Sequence, residues 1–142
     1  MKKIFIIIAL IVACYSNAQE TKSYKLIQVD EYPLFKGTKT LYSKNRAKFN
    51  SFLQKKILSK VDYKILGLVI TDYKFYVEIY IDVNKNVKVI NTSEKDKDLH
   101  EEIVRVVERF KVKKAAKLNG KSVAVTFILP FKVNSKINNL FN

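Results

Sequence analysis

Tryptophan is absent from this chain of 142 residues, cysteine, methionine and histidine occur once each, and there are only 3 glycines and 2 prolines. Each shortage excludes something. One histidine builds neither a zinc site nor a Ser-His pair, and three glycines leave no glycine-rich loop to cradle a phosphate. One thiol closes no internal disulfide, so a packed core has to hold the domain together. His100 falls in the first turn of an amphipathic segment, where a solvated surface residue is the better reading than a ligand or general base. Asp96, Asp98, Glu101 and Glu102 crowd the same stretch, but Lys95 and Lys97 interleave them, and helix capping accounts for them better than calcium or acid-base chemistry. The expectation is a non-catalytic protein with no cofactor and no metal.

The first residues are of a different character. Lys2 and Lys3 precede an apolar run from Ile4 to Ala13, and Ser16-Asn17-Ala18 places small residues where a signal peptidase reads. Ten apolar residues span about 15 Å as a helix, half of a hydrocarbon core of about 30 Å, so the segment reads as a secretory signal over residues 1–18 and not as a retained anchor. Cys14 lies inside it. Cleavage after Ala18 discards this thiol, whereas the less well formed Ile11-Val12-Ala13-Cys14 lipobox would make it a lipid attachment point, the weaker of the two readings. The expected location is the periplasm or the medium, with a lipid-tethered form as the alternative.

Removing residues 1–18 leaves 124 residues, the size of one domain. Lysine and arginine total 27 against 13 aspartates and glutamates, and losing Lys2 and Lys3 lowers the net charge from +14 to +12. Such a balance favours anionic partners. Only Arg46, Arg105 and Arg109 are arginines, however, and export combined with so few bidentate forks argues against nucleic acid.

Along the mature chain, residues 19–28 read as a short polar leader and residues 29–37 as an extended arm, with Pro33 biasing Tyr32 towards extended backbone and Gly37 permitting a turn. Between Ser43 and Val61 the residues Ala47, Phe49, Phe52, Leu53, Ile57, Leu58 and Val61 recur at three- and four-residue steps, which predicts a helix with one buried face. Residues 64–71 are a short apolar run, read as a strand. Phe75, Val77, Ile79, Ile81 and Val83 alternate with polar residues, and Asn84-Lys85-Asn86 turns the chain back into Val87–Thr92 as a hairpin. Tyr76 and Tyr80 then share its second face, partly exposed or packed under the arm. A second helix is predicted to start near Asp98, with Leu99, Ile103, Val106, Val107 and Phe110 as its core face. Lys113–Lys121 reads as a basic connector containing Asn119-Gly120, and residues 134–142 as a polar tail. The fold class is α+β, two helices packed on one face of a small antiparallel sheet.

The closing strand carries the candidate site. Val123, Val125, Phe127, Leu129, Phe131 and Val133 fall on one face, and Ala124, Thr126, Ile128, Pro130 and Lys132 on the other. Proline cannot donate to a ladder, so Pro130 predicts a sheet edge with backbone groups free for another chain. On this reading a partner strand pairs along residues 123–133, Thr126, Ile128 and Lys132 set side-chain preference, and Lys113, Lys114, Lys117 and Lys121 form a basic rim that attracts an acidic ligand.

The order of these motifs resembles the C-terminal domain of the TonB family. Val29-Asp30-Glu31-Tyr32-Pro33-Leu34-Phe35 is similar to that family's "E-x-P-x-F" lead-in, Phe52-Leu53 with Ile57 to its first helix, and Phe75–Val89 to its hairpin. Leu99–Phe110 matches its second helix, and Asn119-Gly120-Lys121-Ser122-Val123 through Leu129-Pro130-Phe131 its "N-G-K-P-V…L-P-I-x-F" close. The hairpin-turn glycine and the Trp-x-Pro before the closing strand are missing. The resemblance spans residues 29–133 and implies a standalone envelope module that binds a segment of a protein, such as an outer-membrane TonB-dependent receptor, by strand addition, without its own energy-transducing anchor. Two other classes stay open. One is a basic adhesive module for anionic envelope surfaces, the other a homodimer paired edge to edge.

Overall fold

The computed structural model describes residues 22–38, 45–62 and 73–133, with the side chains of Tyr73 and Val133 excepted. The expected signal, the weak strand at 64–71 and the tail lie outside them. Alternation of apolar residues builds the long hairpin: β3 (Tyr73–Ile81) returns as β4 (Val87–Thr92). The reversal uses Lys85, at φ 73°, as its left-handed residue, not either flanking asparagine. The Asp82 carboxylate locks it by accepting the backbone amide of Asn86 at 2.8 Å and its side-chain amide at 2.7 Å. Within β4, Ile90 is the extra residue of a bulge, since Glu78 faces Asn91 and Ile79 faces Val89.

The closing strand β7 (Lys121–Val133) lies antiparallel along the whole of β3, from Tyr73 opposite Val133 to Ile81 opposite Val125. Its predicted apolar face is the floor of the core. Val125, Phe127, Leu129 and Phe131 are buried, as are Phe75, Val77, Ile79 and Ile81 beside them. The cross-strand partners Phe75 and Phe131 stack at 4.9 Å.

Two helices cover that face, as the sequence predicts. α1 (Arg46–Leu58) starts where Asn45 Oδ1 accepts the amide of Lys48, and buries Phe49, Leu53 and Ile57, one per turn. Ala47, expected inward, is exposed. α2 (Lys97–Glu108) is capped by Asp96, whose carboxylate accepts the amide of Leu99, so the cap falls two residues before the expected Asp98. Leu99, Ile103, Val106 and Val107 are buried as predicted, Phe110 is half-buried past the helix end, and Glu102 joins the buried set.

Both segments read as connectors turn out to be structural. Residues of the leader form β1 (Ser23–Lys25) and a single 3-10 turn (Leu26–Gln28), with Leu26 only 2% exposed. The domain therefore begins by Ser23, not at residue 29. Lys113–Lys121 folds into the end of β5 (Val112–Lys114) and into β6 (Ala116–Leu118), which turns into β7 through Asn119 and Gly120 at φ 50° and 75°. The arm supplies β2 (Leu34–Phe35) to pair with β5, and a bridge from Glu31 to Lys117. Its aromatics pack on α1: Tyr32 meets Phe49 edge-on at 5.3 Å, and Phe49 reaches Phe127 at 5.4 Å.

Candidate functional site

Strand order β1-β7-β3-β4 places the closing strand inside the sheet, which corrects the expectation of a free edge over residues 123–133. β6 pairs with it at Lys121–Val123, and β1 runs parallel to it at Ala124–Thr126. Val125 and Thr126 therefore have strands on both sides, Tyr24 and Lys25 on one and Ile81 and Tyr80 on the other. Val125 and Thr126 have no side left for an added strand, and Val123 and Ala124 already pair with β6 and β1. Thr126 is further tied to β1 by a hydroxyl contact with Ser23 at 3.2 Å.

Past Thr126 the situation changes. β1 ends at Lys25 and its chain turns away through Leu26–Gln28, so among the described residues nothing pairs with the outer side of β7 from Phe127 to Val133. The polarity of this stretch follows from Tyr76, opposite Pro130. The Tyr76 amide donates to Ser93 Oγ at 2.9 Å and its carbonyl accepts from the Ser93 amide at 3.0 Å, so both groups point towards β4. Tyr76 and Pro130 are then a non-hydrogen-bonded pair, and the backbone of Pro130 faces outward. Alternation aims the N–H and C=O of Ile128 and Lys132 the same way. Proline is tolerated at 130 because its missing N–H would have faced away from β3.

The open stretch is short and interrupted. Its usable rungs, Ile128 and Lys132, are four residues apart, about 13 Å along a strand. Between them the carbonyl of Pro130 already accepts the side-chain amide of Gln54 from α1. A pocket of about 650 Å³ opens where β1 departs, bordered by Leu26, Ile27, Arg46, Glu78, Ile90 and Ile128. Its outer lip is apolar: Ile27, Ile90 and Ile128 are 67%, 52% and 46% exposed. A second pocket of about 460 Å³ lies at the far end, with Gln54, Lys74, Tyr76, Pro130 and Lys132. The other edge of the sheet is less available, since Glu108 on α2 accepts the amide of Val89 in β4 at 3.3 Å.

The expected basic rim lies elsewhere. Lys113 and Lys114 are exposed on β5, Lys117 pairs with Glu31 at 3.9 Å, and Lys117 and Lys121 belong to the β6-β7 hairpin at the covered end of the strand. The cations that border the open stretch are Lys25 and Arg46 at the first pocket and Lys74 and Lys132 at the second. Tyr76 is 39% exposed and Tyr80 half-buried on the outer face, while the arm packs on Phe49 and β5.

The acidic residues near α2 have separate structural uses. Asp96 caps the helix, Glu101 lies 3.8 Å from Lys97, and Glu102 Oε1 accepts the amide of Asp62 at 2.8 Å while Arg105 Nε donates to Oε2 at 2.6 Å. The guanidinium of Arg105 holds the Glu102 carboxyl below its usual range, against the opposing effect of burial. Among the described residues no three acidic, histidine or cysteine side chains cluster as a metal site would require, and no helix is long and apolar enough to cross a membrane. No protein-family model matches the chain, and no curated protein or solved structure matches it either.

Proposed function

We propose that this protein is a non-catalytic binding module of the bacterial envelope that accepts a short extended segment of another protein by strand addition along Phe127–Val133. The open outer edge of β7 beyond β1 is the observation that carries this reading. The segment would bond to the outward groups of Ile128 and Lys132 and set an apolar side chain against Ile27, Ile90 and Ile128. The similarity of the motif order to the TonB C-terminal domain supports an outer-membrane receptor segment as the partner, and the signal-like start supports export.

The test places proline at an outward donor, with Ile128→Val as the control that trims the side chain and keeps the amide. Ile128→Pro deletes an amide that takes no part in the β3 ladder, so it leaves the fold intact, as Pro130 does. Peptides selected from a random decapeptide display library against the purified protein should bind Ile128→Pro about tenfold or more weaker, the loss of one well-formed hydrogen bond and its register. Unchanged affinity in a folded Ile128→Pro protein sinks the strand-addition reading.

A further inference from the structure

We propose a second binding site, for a phosphate-bearing polyanion, in the pocket between the C-terminal ends of α1 and α2 and the turn at Gly37. The pocket has a volume of about 420 Å³ and is lined by Lys36, Lys56, Lys60, Arg105, Arg109 and Lys111, with no acidic residue among its walls. That volume lies within the range of small-ligand sites. Composition conceals the site, because arginine is rare in the chain yet two of its three copies, one helical turn apart, converge here. Guanidinium forks are the side chains best matched to phosphate oxygens, and while that of Arg105 is bonded to Glu102, that of Arg109 makes no ion pair among the described residues.

Helix ends attract cations on their own account, so the magnitudes matter. Two helix C-termini contribute about half a negative charge each, and Glu102, bonded to Arg105, and Asp62, whose charge also acts on Arg105, contribute one each. Six cations against that leave about three positive charges uncompensated, more than dipole matching explains. Lys60, Arg109 and Lys111 make no ion pair among the described residues. Lys56 is the fixed member of the group. Its ammonium donates to the carbonyl of Lys36 at 3.0 Å and sits 5.4 Å and 5.7 Å from the ring centres of Phe52 and Phe110. Like charges held this close repel one another, and an anion with two or more phosphate groups relieves the repulsion while Phe110 offers it an apolar wall. This pocket shares no lining residue with the two at the strand edge, so the proposal stands apart from the peptide reading.

Sodium tripolyphosphate titrated calorimetrically into the protein at about 0.15 M salt, where loose surface attraction is largely screened, should bind saturably. Lys60→Gln/Arg109→Gln removes two exposed cations and should weaken binding about tenfold or more, whereas Lys113→Gln/Lys114→Gln, an equal loss of charge on β5, should change it less than about twofold. Vesicles of equal parts phosphatidylglycerol and phosphatidylcholine form the second arm. The same pattern of variants with vesicles but no tripolyphosphate binding supports a lipid headgroup as the source of the phosphate. Equal weakening by both pairs, or saturable binding in neither arm, overturns the site.

Discussion

The side-chain amide of Gln54 donates to the carbonyl of Pro130, 76 residues later, and so seals the middle of the stretch of β7 whose outer side pairs with no strand among the described residues. Proline removes the donor at that rung and glutamine occupies the acceptor. The open edge is thereby reduced to its two ends, Ile128 and Lys132, a device that limits uncontrolled pairing with other chains.

Replacing Gln54 by alanine should open that rung. With the Pro130 carbonyl free, a bound strand gains one acceptor, worth about 1 kcal/mol, and selected peptides should bind about fivefold tighter. Calorimetry against the wild type measures it. Weaker binding in the variant would show that Gln54 contacts the ligand and does not compete with it.

Leu26 tests whether the leader is part of the domain. Its side chain is buried at 2% exposure, so Leu26→Ala should destabilise the protein by about 2–4 kcal/mol in urea unfolding, as loss of a core leucine does. A cost near zero would mean that β1 and the following turn dock only loosely on β7.

The buried Glu102 predicts a pH dependence. Its folded pKa is depressed, chiefly by the bond from Arg105, so the stability it contributes is fully present above the ordinary value of 4.5 and is lost as pH falls through the lower, folded value. Glu102→Gln should cost about 1–3 kcal/mol at neutral pH, because the amide cannot satisfy both Asp62 and Arg105 as a carboxylate does. The gap between wild type and variant should close as the pH is lowered below 4.5, which chemical denaturation across that window measures. A gap independent of pH would rule out the ionised carboxylate as its origin.

Gly120 adopts φ 75° with open space around its α-carbon, so an added methyl meets no neighbour and only the backbone conformation is strained. Gly120→Ala should therefore cost about 1 kcal/mol. Gly120→Asn, at a position where asparagine tolerates the left-handed region, should recover part of that in thermal unfolding.

Local patterns in the sequence were enough to place the elements. Alternation from Phe75 to Ile81 and from Val125 to Phe131 required strands with one buried face, and the steps Phe49-Leu53-Ile57 and Leu99-Ile103-Val106 required helices to cover it. The α+β class follows from that order. Short pieces carried less information. Ser23–Lys25 and Ala116–Leu118 are three residues each, too few for periodicity to register, and both become strands because β7 offers them a ladder.

Pro130 pointed to a sheet edge along residues 123–133, but it could not say that only the part past Thr126 is open. That boundary is set by β1, which stops at Lys25 because its chain turns to bury Leu26, and by Gln54 arriving from a helix 76 residues away. The basic pocket has the same origin: Lys36, Lys56 and Lys60 lie far in sequence from Arg105, Arg109 and Lys111, and only the packing of α1 against α2 gathers them. Backbone and side-chain preferences act over a few residues and are written along the chain. Which edges stay open and where charges accumulate depend on contacts between distant segments, and only the folded arrangement decides them.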